Sequence, residues 1–285
     1  MCGIVGLHLR EPSLEPRLGE LLSAMLGQVV ERGPDSAGVA VYGDPRLSPP
    51  GRTVVSVLGT SAAEVAEALP GVTAIDADAT TVVHAEAAEV IRALPGARVI
   101  GSGEGFAVLK GTGNPVALAE SFGLARVRGW QGVGHTRMAT ESAVTPEGAH
   151  PFSVGPGQCL VHNGSFANHA TVRRELRAQG VEFDSENDSE VGARFVAHQL
   201  ARGADPEKAL RLLCERFDGF YTLLVSTGDS FAVVRDAIAC KPALVAETPQ
   251  WVAMASEYRA LDVLPGIEHA RIFEPEPEEV YVWRR

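Results

Sequence analysis

Segments with helical periodicity lie in the middle of this chain and strand-like segments crowd its two ends, an order that points to two sheets held between helical layers. Residues 3 to 9, Gly-Ile-Val-Gly-Leu-His-Leu, read as a buried strand. Leu18, Leu21, Leu22, Met25, Val29 and Val30 then recur at helical spacing until Arg32-Gly33-Pro34, where glycine can cap a helix and proline cannot continue one. Strands are expected at 39 to 42, 105 to 109, 132 to 135 and 158 to 162. Helices follow at 169 to 179, 189 to 201 and 206 to 216, the last announced by Asp205-Pro206, an N-cap followed by proline at the first helical position. The final seventy or so residues alternate strand and turn, with strands expected at 220 to 226, 231 to 235, 243 to 247, 251 to 255 and 280 to 283.

One stretch stands apart. Between about 45 and 103 the composition turns to Ala, Val, Gly and Pro, with strands expected at 53 to 58 and 80 to 84 and helices at 62 to 69 and 87 to 94, each ending in Pro-Gly. Its apolar periodicity is too regular for a linker, so it reads as an inserted βα-type subdomain within one large domain of residues 2 to 285. It is a candidate for part of a docking surface or, equally, for a stabilising elaboration.

Several function classes drop out on composition. No apolar run approaches the length needed to cross a bilayer, and Arg10 and Glu11 follow too soon for a secretory signal, so a cytoplasmic protein without a membrane partner is expected. The net charge of −11 comes from scattered acidic residues, and the absence of a basic stripe argues against nucleic acid. Four cysteines, Cys2, Cys159, Cys214 and Cys240, show no Cys-x-x-Cys spacing, which disfavours both a disulfide framework and a structural zinc site.

The chemistry concentrates at the start. Removal of Met1 would leave Cys2 carrying a thiol and a free α-amine whose ordinary pKa values, about 8.5 and about 8, are closely matched. The amine can then take the thiol proton and return it to a leaving group, which makes one residue both nucleophile and base. The plainer alternative is a small buried side chain opening a strand. Four polar clusters accompany it: Arg32-Gly33-Pro34-Asp35-Ser36; Gly134-His135-Thr136-Arg137 at a strand end, where an arginine can grip a carboxylate; His162-Asn163-Gly164, read as a turn after a strand; and Asn187-Asp188-Ser189-Glu190 at a helix start. An asparagine amide beside an exposed glycine N–H can hold a developing oxyanion. Each cluster alone has an ordinary structural explanation: a helix-ending turn, a solvated arginine, a tight turn, a helix cap.

Taken in order, with Ala139-Thr140, His150-Pro151-Phe152, Val234-Arg235-Asp236, Lys241-Pro242 and Ala255-Ser256-Glu257, these motifs resemble the class II glutamine amidotransferases, which are N-terminal-nucleophile hydrolases. The resemblance spans the chain except the insertion. It implies an α+β fold, a four-layer αββα sandwich, and hydrolysis of the glutamine side-chain amide through a Cys2 thioester with no cofactor or metal. It further implies that Asn163 and Gly164 form an oxyanion hole and that Arg137 and Asp188 bind the glutamine α-carboxylate and α-amine, with Arg32, Thr140 and His150 shaping the site. Met138 and Glu141 depart from relatives that make amino sugars or purine precursors, which often carry Trp and His there. The pattern looks most like stand-alone amidotransferase subunits related to the glutaminase part of glutamate synthase. Because the chain closes on an apparent sheet strand, a separate synthase-type subunit is expected as partner. An amidase for another γ-glutamyl compound and a non-catalytic scaffold are the alternatives.

Overall fold

The computed structural model describes residues 2–138 and 143–285. In chain order the first half comprises β1 (Gly3–Leu9), α1 (Leu18–Gly27), β2 (Ser36–Tyr42), β3 (Thr53–Leu58), α2 (Ala62–Ala68), β4 (Ala74–Ala77), β5 (Thr80–Val83), α3 (Ala87–Ala93), β6 (Arg98–Glu104), β7 (Phe106–Thr112), α4 (Pro115–Ser121) and β8 (Gln131–Arg137). There follow β9 (Phe152–Gly155), β10 (Gln158–Phe166), α5 (His169–Ala178), α6 (Asp188–Ala201), α7 (Pro206–Arg216), β11 (Gly219–Ser226) and β12 (Ser230–Arg235). The chain closes with β13 (Leu244–Glu247), β14 (Trp251–Ala255), α8 (Tyr258–Leu261), β15 (Arg271–Phe273) and β16 (Tyr281–Arg284).

A seven-stranded sheet, in the order β15-β13-β14-β1-β8-β2-β7, faces a five-stranded sheet, in the order β16-β12-β11-β10-β9. Strand periodicity explains how they stack. Along β1, Ile4 turns into the core between the sheets, with Val133, Val161, Leu224, Phe231 and Met254. Val5, Leu7 and Leu9 turn the other way, onto α1, α4 and α8. Leu160 and Phe166 of β10 likewise pack outward on α5, α6 and α7, while Val161 faces inward. The result is the expected αββα sandwich. Among the described residues no helix is long and apolar enough to cross a membrane.

The segment read from sequence as an insertion forms a four-stranded antiparallel sheet, β4-β5-β3-β6, so its two expected strands are joined by two that the sequence pattern does not reveal. Val55, Val57 and Val83 pack with Val65 of α2 and Val90 of α3 to give it a small core. It also closes an exposed edge. β7 is the last strand of the seven-stranded sheet, and its unpaired N–H groups at alternate residues meet hydroxyls from the segment between β2 and β6. Ser48 Oγ accepts from Phe106 at 3.1 Å, Ser56 Oγ from Val108 at 3.0 Å and Thr80 Oγ1 from Lys110 at 2.9 Å; Thr80 also donates to the Lys110 carbonyl at 3.1 Å. An open edge that would recruit another strand is thus capped by side chains.

One expectation needs correction. His162-Asn163-Gly164 is not a turn: β10 runs on through Phe166, and Asn163 and Gly164 pair with Thr222 and Tyr221 of β11. Asn-Gly is a strong turn signal in isolation, but eight consecutive pairings with β11 override it.

Candidate active site

Parity along the strands decides which side chains meet. Ile4 and Val133 face the gap between the sheets, so Cys2 on one side and His135 and Arg137 on β8 face it too. Gly3 pairs with Thr136, and one further step of the same register sets Cys2 opposite Arg137. On the facing sheet Val161 looks into the gap, and so does Asn163. Three of the sequence-predicted residues, from three different strands or strand ends, are thereby brought to one end of the interior.

Asn163 is almost completely buried, yet its Nδ2 has no hydrogen-bond partner among the described residues. A buried amide left unpaired costs about 1–3 kcal/mol, so its retention asks for a use. The neighbouring Gly164 N–H is directed by the strand pairing. Tyr221, opposite it, exchanges backbone and side-chain hydrogen bonds with Asp236 of the next segment, at 2.7 Å to Oδ1 and 3.1 Å from the Asp236 N–H. Tyr221 therefore turns its polar groups toward β12, and Gly164 turns its own away from β11. β9 pairs no further along β10 than Leu160, so that edge is open at Gly164. Only glycine serves there, because φ is 149° and a Cβ would lie 2.0 Å from the Phe220 carbonyl oxygen. Two residues on, Phe166 gives its N–H to Asp188 Oδ2 at 2.9 Å, which ties the start of α6 to the same edge. The cap of α6 is Asn187, whose side chain accepts from Ser189 N–H, so Asp188 is spared the capping role open to it from sequence.

Arg32 lies beside the nucleophile candidate. Its Nε donates to the Cys2 carbonyl at 2.9 Å and its Nη1 to Glu257 Oε1 at 2.9 Å. The turn after it can approach β8 because residue 33 is glycine; a Cβ there would sit 2.5 Å from the Arg137 nitrogen. Pro34 bridges to Arg137, and Asp35 N–H donates to the Arg137 carbonyl. Arg137 itself is buried, and its Nη1 donates to the Ala143 carbonyl at 3.2 Å. Cys2 is half-buried with a free thiol. Thr140 and Glu141 lie outside the described residues.

His150 is placed behind this group. Its ring stacks on His135 at 4.1 Å between centroids, and neither ring nitrogen has a partner among the described residues. His135 Nε2 donates across the gap to the His162 carbonyl at 3.0 Å, and His162 Nδ1 meets Ser189 Oγ at 2.7 Å. Burial holds all three rings neutral: His135 falls to about 3, His162 to about 4, and His150 lies well below its usual value. The neutral His135 fixes the peptide that carries Asn163, a link that sequence reasoning missed because it joins two sheets. Ser256 and Glu257 stand out in the sequence only as part of a motif, without a role, since their partners, Ile4 and Arg32, lie more than two hundred residues away. No three His, Cys, Asp or Glu side chains among the described residues are arranged to hold a metal ion.

A cavity of about 700 Å³ lies elsewhere, lined by α6, the β9–β10 hairpin and the start of α7. It is open, and its arginines are already paired, Arg194 with Asp184 and Glu190 and Arg284 with Asp205. None of its lining residues has a buried side-chain polar atom without a partner among the described residues, whereas Asn163 Nδ2 does.

The family model described as a glutamine amidotransferase domain matches residues 135–263. The glutamine amidotransferase-like protein GlxB of Rhizobium meliloti is 47% identical over 295 residues, covering 99% of this chain and 98% of that protein. The isomerizing glutamine–fructose-6-phosphate aminotransferase of Streptomyces coelicolor is 38% identical over 141 residues, 49% of this chain and 22% of that protein. Among solved structures, the glutamine phosphoribosylpyrophosphate amidotransferase of B. subtilis superposes with a TM-score of 0.64 at 19% identity. That match covers 99% of this chain and 49% of the larger one, and it establishes likeness of fold.

Proposed function

Because the chain belongs to the class II glutamine amidotransferases, we propose that it hydrolyses the side-chain amide of glutamine to glutamate and ammonia, with Cys2 as nucleophile once Met1 has been removed. The observation that carries this reading is the buried, unpartnered Asn163 Nδ2, turned into the same gap as Cys2.

In the proposed reaction the Cys2 α-amine takes the thiol proton as sulfur attacks the γ-carbonyl carbon. Negative charge gathers on the carbonyl oxygen, where Asn163 Nδ2 and the Gly164 N–H donate to it without having to reorganise. The C–N bond then breaks, the Cys2 ammonium returns its proton, and ammonia leaves a γ-glutamyl thioester. Water, deprotonated by the same amine, attacks that thioester and releases glutamate and the free thiol. Arg137 holds the substrate α-carboxylate and Asp188 its α-ammonium. His150 acts from behind, through the stacked His135 that holds the Asn163 peptide. A reducing, cytoplasmic setting is in keeping with the four free thiols.

Ammonia is delivered, on this reading, to a separate synthase-type subunit. Exposed apolar side chains near the site support a docking partner: Phe220 lies opposite Ser165, Ile238 gives its N–H to the Asp236 that holds Tyr221, and Tyr258 follows Glu257. The insertion, whose hydroxyls cap β7, presents one comparable residue, Ile91. The test is steady-state glutamine hydrolysis by the parent chain and by Cys2→Ala, each alone and with co-purifying subunits. Loss of turnover in Cys2→Ala, and acceleration of the parent by its partner, are expected. Equal turnover by parent and variant would overturn the nucleophile assignment.

A further inference from the structure

The end of β14 holds the first residues of the chain in two consecutive grips. Ser256 takes the Ile4 N–H on its hydroxyl at 2.9 Å and gives its own N–H to the Ile4 carbonyl at 2.9 Å. The next residue, Glu257, reaches Arg32, and Arg32 reaches the Cys2 carbonyl. We propose that Glu257 is a positioning residue for Cys2, acting through Arg32; this rests on the reading of Cys2 as nucleophile.

The need for such a device follows from where Cys2 sits. β1 begins at Gly3, so the last ladder pairing stops one residue short of the thiol. The Cys2 carbonyl is the hinge between that fixed strand and the reactive end, and its orientation sets where the amine and Sγ point relative to Asn163. Arg32 Nε holds that oxygen at 2.9 Å. A long, flexible side chain holds an atom in place best when more than one of its nitrogens is anchored. Glu257 anchors a different nitrogen at 2.9 Å and so helps fix the plane of the guanidinium.

Glu257 is itself braced. Its other oxygen takes Arg259 Nε at 2.7 Å, and Arg259 extends to Glu31, the residue before Arg32, at 3.5 Å. Charges alternate around the circuit of Glu31, Arg259, Glu257 and Arg32, two of each sign, so Arg32 is oriented without leaving a net charge beside Cys2. Glu257 and Arg259 are both part-exposed, and pairs of that kind add little to overall stability. Their effect is on geometry. A displacement of about 1 Å at a reacting atom can cost about a hundredfold in rate.

The experiment compares Glu257→Ala and Glu257→Gln with the parent chain. Glu257→Ala should lower kcat for glutamine by about ten- to a hundredfold with KM within about twofold, while Tm stays within about 3 °C. Glu257→Gln keeps an oxygen for Arg32 and should recover most of the loss. A second readout needs no glutamine: the rate of Cys2 alkylation by iodoacetamide, followed by mass spectrometry, should change severalfold in Glu257→Ala and return in Glu257→Gln. Should Glu257→Ala not fold, Glu257→Asp, one methylene short of Arg32, carries the same expectations. A Glu257→Ala enzyme with parental kcat and parental alkylation would overturn the proposal, as would a rise in KM at unchanged kcat. If the parent hydrolyses no glutamine, the functional reading fails, and the alkylation rates still decide whether Glu257 positions Cys2.

Discussion

Replacing Asn163 by Ala should separate catalysis from stability. The amide donor is buried and has no partner among the described residues, so the fold carries its desolvation cost, about 1–3 kcal/mol, with no compensating bond. Removing it recovers that cost and loses packing against neighbouring residues, a loss of about 1–2 kcal/mol for so small a truncation. The two nearly cancel, and the urea midpoint of Asn163→Ala should correspond to a stability within about 1 kcal/mol of the parent. Catalysis should respond quite differently. Losing one of two oxyanion donors costs about a hundred- to a thousandfold in kcat, or roughly 2.7–4 kcal/mol of transition-state stabilisation. KM should move little, because the donor meets full charge only in the transition state. Steady-state glutaminase kinetics and urea unfolding on the same preparation check both halves. A variant with parental kcat would refute the oxyanion role. One destabilised by about 3 kcal/mol or more would show that the amide is a structural group after all.

Arg137→Ala should chiefly raise KM for glutamine, since a carboxylate contact present in both ground and transition states is uniform binding; a pure kcat effect would contradict this. Thr80→Val leaves the Lys110 N–H and carbonyl unpaired on the covered edge of β7 and should cost about 2 kcal/mol by urea unfolding, with no cost arguing against edge capping. Acid should destabilise the fold through the buried histidines. Their ordinary value is 6.5, against about 3 for His135 and about 4 for His162 in the folded chain. Below pH 6.5 the unfolded chain therefore binds protons that the folded chain refuses, so stability is full above that pH and drains away toward pH 4 to 3. His150→Phe, which preserves the stacked ring, should flatten the fall in urea midpoint between pH 7 and 5; an identical slope in the two proteins would contradict the assignment.

Much of the sandwich was legible because its strands obey a period of two and its long helices a period of 3.6. The limits of β3 were read correctly, and α7 was found from Asp205-Pro206. One failure has a local cause. Asn163-Gly164 signals a turn, and nothing in its neighbours reveals that β11 continues the ladder past it. α4 is no shorter than α2 and α3, which are legible, and its Asn114-Pro115 offers the same cap-then-proline signal as Asp205-Pro206, so its absence from the sequence reading has no cause in length. β4, β9 and β15 have four residues or fewer, but so do the legible β5, β13 and β16, so shortness alone does not hide a strand. At the site, the identities of Cys2, Arg137, Asn163 and Asp188 could be proposed from motif order, but the Arg32–Glu257 and His135–His162 links could not. They depend on which strands become neighbours, and that follows only from the folded sheets.

Labelling with a glutamine analogue that carries a diazoketone in place of the amide tests the central claim most directly, because attack by a nucleophilic sulfur expels nitrogen and leaves a stable adduct. Mass spectrometry of the digested protein should find one adduct, on Cys2, in a peptide whose first residue is Cys2, and excess glutamine should prevent it. An adduct on Cys159, Cys214 or Cys240 instead, or an active protein that retains Met1, would contradict the account.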